Sequence, residues 1–216
     1  WSSDVCSSDL SVDLLRIGTF RSDAGAIFGP VPRSTWEPMV HDELDDSSQL
    51  LQALNLLAVT TPGRRLLLES GLLPAGEQRS DESIDSLSAR DALVAAKVDP
   101  DAFELLVPSH LHRDHAGGLL DARGSAAFPR ATVVAPQREI EAVASDSLRA
   151  RAAYDTKGLR ALFVERAPSA FERTSAPDPH VELRLLGGHT PGSQATIVRG
   201  RERTLLFLGD LFMRQI

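Results

Sequence analysis

Short apolar runs alternate with polar stretches along the chain, and each change of period predicts a change of element. Residues 12–20 alternate loosely, as a strand would. Residues 50–60 and 65–69 are two apolar-rich runs separated by Thr61-Pro62-Gly63. A Pro-Gly pair presets turn dihedrals, so the expectation there is two strands joined by a turn. Apolar positions at Ile84, Leu87, Val94 and Val98, with acids placed early, predict a helix over 81–97 that Asp99-Pro100 ends. Residues 103–107 read as a buried strand bounded by Pro108, 131–135 as a short strand, and 136–153 as a helix with proline in its first turn. Residues 181–186 alternate, as a half-buried strand should. Residues 204–208 are continuously apolar, as in a strand covered on both faces. Strands alternating with helices point to a layered α/β domain.

Three stretches resist this reading. Residues 23–36 are rich in glycine and proline yet carry Ile27, Phe28, Val31 and Trp36. Such a segment is not expected to form a regular helix, and a loop that keeps large apolar groups packs them somewhere. Residues 72–80 read as loop. Residues 152–179 show no clear period and hold Tyr154, the single tyrosine, for which packing is the expected role.

Composition narrows the class. With 216 residues, 42% hydrophobic and 25% charged, the chain can bury one sizeable core. No run approaches the length of a membrane span. A net charge of −7 argues against nucleic-acid or anionic-membrane partners, because binding phosphates needs clustered positive charge. Residues 1–10 have no periodicity; Asp4-Val-Cys-Ser-Ser-Asp-Leu10 resembles translated adapter sequence, so these residues read as a non-native leader before a domain at 11–216. Cys6, the single cysteine, falls in that leader and allows no disulfide within one chain. A cytoplasmic location is expected, with a signal peptide ahead of the first residue left open.

The chemistry concentrates in Ser109-His110-Leu111-His112-Arg113-Asp114-His115-Ala116-Gly117-Gly118. Three of the chain's six histidines and a carboxylate fall within six residues, directly after an expected strand. Neutral imidazoles are common ligands for zinc and iron, and a carboxylate adds negative charge. In an extended segment His110 and His112 point the same way and can grip one ion. Asp114 and His115, where the chain turns through Gly117 and Gly118, can reach a second. His189 and Asp210 each sit just past the end of an expected strand, where α/β sheets place their sites. His41 and His180 lie outside every motif and read as surface residues.

His110-x-His112-x-Asp114-His115 resembles the signature of the metallo-β-lactamase superfamily, and the resemblance continues at Gly187-Gly188-His189-Thr190-Pro191-Gly192 and Leu206-Phe207-Leu208-Gly209-Asp210. It implies an αββα sandwich, two β-sheets flanked by helices, whose C-terminal part is missing here. It also implies two metal sites: His110, His112 and His189 at one, Asp114 and His115 at the other, with Asp210 shared. A further site-two histidine that the family carries has no counterpart between His189 and Ile216. Where family members carry Asp-Thr-Gly, this chain has Glu69-Ser70-Gly71. Glu69 is therefore not expected as a ligand, and its supporting hydrogen bonds are open.

The segment at 23–36 is similar to the N-terminal segment of lactonase-like members, which lies over the metal site. That likeness implies a substrate pocket formed with Phe28, Val31 and Trp36. The expected activity is hydrolysis of a small, apolar lactone ester by a hydroxide bridging two divalent ions, Zn2+ first, with Fe, Co or Mn as alternatives. Asp114 would orient the nucleophile or shuttle its proton. An organophosphate triester hydrolase and a mono-iron persulfide dioxygenase are the alternatives, and relatives that dimerise make a homodimer an open expectation.

Overall fold

A β-rich chain with so many leucine and valine runs must cover both faces of its inner strands, and it does so by stacking two sheets under a layer of helices. A computed structural model describes residues 2–3, 10–72 and 84–212 of the chain. The larger sheet contains β1 (Ser2–Ser3), β2 (Ser11–Asp23), β3 (Gln49–Thr60), β4 (Arg65–Leu68), β5 (Ile84–Ser86), β6 (Leu105–Leu106), β7 (Thr132–Pro136) and β8 (Ser169–Phe171). Its order is β1-β2-β3-β4-β6-β7-β8, with β5 also paired to β2. Pairing is antiparallel from β1 to β4 and parallel from β4 to β8. The smaller sheet is antiparallel, in the order β12-β11-β10-β9: β9 (Thr174–Asp178), β10 (Val181–Leu185), β11 (Gln194–Arg199) and β12 (Thr204–Phe207). The helices are α1 (Ala24–Phe28), α2 (Arg33–Val40), α3 (Ala89–Ala95), α4 (Arg113–Ala116), α5 (Gln137–Ala144), α6 (Leu148–Ala153) and α7 (Thr156–Glu165).

Period-two alternation distributes the leucines between two cores. On β4, Leu66 and Leu68 join Leu57, Val59, Leu105 and Val107 against Val181, Leu183 and Val198 of the smaller sheet. Leu67 faces the other way, into a core shared with Leu93 of α3, Val143 of α5 and Leu159 of α7. A strand buried on both faces reads as a continuous apolar run, which is why Leu66, Leu67 and Leu68 follow one another in place of alternation. The sheets are also tied at one end, where the buried Thr61 hydroxyl donates to Asp178 Oδ2 at 2.9 Å.

This is the expected α/β architecture, with differences in its parts. The helix expected over 81–97 is confined to Ala89–Ala95; Ser88 caps it by accepting the Asp91 N–H, and Ile84–Ser86 instead pairs with β2. Residues 81–83 of that expectation, and most of the loop expected at 72–80, lie outside the described residues. The helix expected over 136–153 is two helices, because Ser147 caps a new start by accepting the Ala150 N–H. Residues 204–208 are not covered on both faces: Leu206 of β12 is exposed, and β12 is the end strand of its sheet among the described residues. The expectation of no helix in 23–36 is also corrected. α1 and the start of α2 flank a Gly29-Pro30 turn, with Asp23 accepting the Ala26 N–H at 2.9 Å. The illegible stretch holds α7, β8 and β9.

Of the expected leader, residues 1 and 4–9 lie outside the described residues. Ser2–Ser3 pair with β2, and Leu10 is buried in the core between the sheets. Among the described residues, no helix is long and apolar enough to cross a membrane.

Candidate metal centre

The three motifs meet where the strands of both sheets end. Residues 109–115 follow β6, His189 follows β10 and Asp210 follows β12. The first loop is held from both sheets. Gln194 at the start of β11 donates its backbone N–H to the Ser109 carbonyl at 2.9 Å and its side-chain amide to the Pro108 carbonyl at 2.6 Å. Gly209 brings the last motif against the same loop. Its φ is +53°, and an added Cβ would lie 2.2 Å from Ser109 Oγ, so both conformation and space call for glycine.

Two sets of donors result. Ligand atoms of His110, His112 and His189 lie within 4.8 Å of one another, as do those of His110, His115 and Asp210. The first set is the one expected from sequence. The second differs: His110 takes part in both sets. Asp114 lies beside the second set, its Oδ2 3.4 Å from His115 Nε2, and Asp210 Oδ2 is 3.3 Å from that nitrogen and 3.6 Å from His189 Nε2.

Two observations test whether a metal fits here. His189 Nε2 and His112 Nδ1 face each other at 3.1 Å, close to the roughly 3.4 Å that separates two imidazole nitrogens on one tetrahedral ion. Buried His110 keeps Nδ1 against Ser109 Oγ at 3.0 Å, and its Nε2 has no hydrogen-bond partner. A buried polar atom left without a partner costs free energy, and a metal ion would satisfy it. The donor set therefore fits divalent ions.

Electrostatics favours the neutral, ligating form at His110 and His112 and the protonated form at His115. Burial pushes the His110 imidazole well below its ordinary range, and the neighbouring imidazoles add to this. His112 is pushed down to about 4, again chiefly by burial. A neutral imidazole is the metal-binding form. Burial disfavours charge on His115 too, but the Glu69 and Asp114 carboxylates override it and raise its proton affinity. Burial likewise opposes ionisation of Asp114, yet the adjacent His115 outweighs it and holds the carboxyl below the usual range.

Glu69 takes a supporting place. Buried, with φ +65°, it sets Oε1 3.2 Å from His115 Nδ1 and accepts the Ser109 N–H at 3.2 Å. Its contact with the His115 ring is on the side opposite Asp114 and Asp210, consistent with orienting a ligand. Tyr154 is buried with its ring edge-on to His112, centroids 4.7 Å apart, and burial together with Glu139 raises its phenol. Glu139 itself was not legible: its partners lie 28 to 53 residues away, and no local motif marks it.

The centre opens into a cleft of about 1050 Å3 whose lining includes Phe20, Ile27, Phe28, Leu54 and Phe207, with Arg149 at its polar side. Of the expected pocket residues, Phe28 lines it, while Val31 and Trp36 do not. Val31 sits in the turn before α2, 41% exposed. Trp36 is 4% exposed, one turn into α2, packed with Ala24, Val40 and Leu50. It stacks on Phe28 at 4.8 Å and so backs the pocket wall.

A family model described as the metallo-beta-lactamase superfamily matches residues 54–215. No curated protein matches the chain. Among solved structures, a Staphylococcus aureus protein described as a probable metal-dependent hydrolase aligns with a TM-score of 0.80 at 24% identity, covering 94% of this chain and 74% of its own. AidC, a dizinc quorum-quenching lactonase solved with its product, aligns at 0.76 and 18% identity over 98% and 74%. AiiA of B. thuringiensis, solved with N-decanoyl-L-homoserine, aligns at 0.66 and 18% identity over 91% and 74%. At these identities the likeness speaks for the fold.

Proposed function

The chain belongs to the metallo-β-lactamase superfamily, and from that premise we propose that it is a dinuclear metal-dependent hydrolase acting on lactone esters with an apolar acyl group. The observation that carries this reading is that two donor sets adjoin at His110, with Asp114 beside the second to complete it once His110 Nε2 is given to the first ion. Bound there, two divalent ions, Zn2+ first, would supply a water deprotonated near neutral pH and an electrophilic partner for the ester carbonyl. His110, His112 and His189 would hold one ion; Asp114, His115 and Asp210 would hold the other.

The remaining work falls to side chains. Asp114, whose Oδ2 lies 3.4 Å from His115 Nε2 at the edge of the centre, orients the attacking water and accepts its proton, then returns it to the leaving oxygen. Glu69 fixes the His115 ring by its contact to Nδ1. Phe28, Ile27, Phe20 and Leu54 form an apolar wall against which an acyl chain removes surface from water, at about 25 cal/mol per Å2. The lactonases AidC and AiiA among the structural neighbours support the substrate class.

The test is turnover by the Zn2+-loaded chain of an acyl-homoserine lactone and an aryl phosphotriester in parallel, with and without a chelator. Faster, chelator-sensitive opening of the lactone is expected. A metal-loaded chain inert on the lactone overturns the substrate class, and one bound ion per chain overturns the dinuclear reading in favour of a mononuclear oxygenase.

A further inference from the structure

Glu139, on the first turn of α5, is 0% exposed, yet it lies outside the ligand sets. Its carboxylate reaches two of the three motifs at once. Oε2 accepts the backbone N–H of Leu111, the residue between His110 and His112, at 2.8 Å. Oε1 accepts the Thr190 hydroxyl at 2.5 Å and the Gly192 N–H at 3.1 Å, both just after His189. The fit is close enough that a Cβ on Gly192 would lie 2.6 Å from Glu139 Cγ and from its backbone nitrogen. Thr190 is braced in turn, its hydroxyl 2.8 Å from Ser193 Oγ and its N–H donating to that oxygen at 2.9 Å.

His112 and His189 come from loops 77 residues apart in sequence, yet their facing nitrogens are 3.1 Å apart. Neither histidine shares a strand pair with the other; Gln194 ties the loops through Pro108 and Ser109, and Glu139 ties them again beside the histidines. Glu139 is bonded to both, one residue from each of the three histidines.

We propose that Glu139 is a positioning residue that sets the spacing of the His110–His112–His189 donor set and thereby its metal affinity. This rests on the metal-centre reading above. It acts through the backbone of the first loop and the Thr190–Gly192 turn of the second. Glutamine at 139 keeps the shape but turns an N–H2 toward one of these donors, so one of the ties opens.

The experiment uses Co2+ as probe, with its visible absorption titrated against a competing chelator in the wild-type chain and in Glu139→Gln, and with the urea midpoint of each metal-free chain measured alongside. Loss of a supporting hydrogen bond to a ligand loop is expected to weaken Co2+ binding about 10- to 100-fold in Glu139→Gln and to alter its visible bands. A merely structural role would move the urea midpoint and leave the affinity of the folded chain unchanged; that result overturns the proposal. Should Glu139→Gln not fold, Thr190→Val removes the hydroxyl tie alone: a several-fold weakening supports the proposal, and wild-type affinity overturns it. A wild-type chain that takes up no Co2+ overturns the metal reading itself, a different failure from wild-type affinity in the variants.

Discussion

The loop at residues 109–118 and the segment at residues 24–40 flank the same cleft, and they are held there in opposite ways. The loop is fastened by Gln194 from the smaller sheet, by Glu69 from the end of β4 and by Glu139 from α5. The segment rests on a small apolar cluster of Ala24, Trp36, Val40 and Leu50, closed by the Phe28–Trp36 stack. Polar ties with directional geometry fix ligand atoms to fractions of an ångström, whereas apolar packing fixes volume and tolerates exchange. The metal centre and the pocket wall should therefore respond differently to mutation: one in metal and chemistry, the other in affinity and stability.

The sharpest way to break that contrast is His110→Ala, which removes a donor from both sets. Metal affinity should fall by more than the roughly 100-fold upper range for supporting residues, read by metal content after dialysis against a weak chelator. Full metal content in the variant would show that the two sets do not share His110.

Asp114→Asn comes next. Loss of a proton acceptor at the reacting water should lower kcat about 10²- to 10⁴-fold with metal content retained. Near-normal kcat would return Asp114 to a structural role.

Smaller effects are expected on the other side of the cleft. Trp36→Ala should cost about 3–5 kcal/mol of stability by urea denaturation, as large-to-small changes at buried aromatics do, since Trp36 is core and not pocket. Phe28→Ala should raise KM about tenfold, or roughly 1.4 kcal/mol, with kcat little changed, as loss of uniform binding does. Val31→Ser, on the exposed turn, should change neither; an effect on KM would show that the turn contacts substrate.

How much of this was legible follows from the range of each interaction. β3, β4 and β10 announce themselves because period and turn chemistry are local; Thr61-Pro62-Gly63 separates β3 from β4 where expected. The donors were legible because the first motif packs four of them into six residues. Errors arose where a local signal was overruled or overlooked. Ser88 starts a helix after a strand, and Ser147 restarts one, where apolar period alone would run a single helix through. β12 looks like a central strand by composition, yet alternates in exposure at the end of its sheet. β11 begins immediately after the motif around His189, and its short run from Gln194 was not read as a strand. The likeness of 23–36 to a pocket-forming segment does not separate Phe28 from Trp36, because apolar residues outside a regular period do not say which way they face. Glu139 was invisible because a carboxylate on a helix reads as a solvated face until its partners, far off in sequence, are known.

The bond from the Gln194 side chain to the Pro108 carbonyl also orders events in time. It spans 86 residues, and the donors themselves run from His110 to Asp210. Closing loops of that length is slow compared with forming the β3–β4 hairpin or α7. The metal centre is therefore expected to be completed only once the two sheets have docked, and the rate of metal capture during refolding would report that docking step.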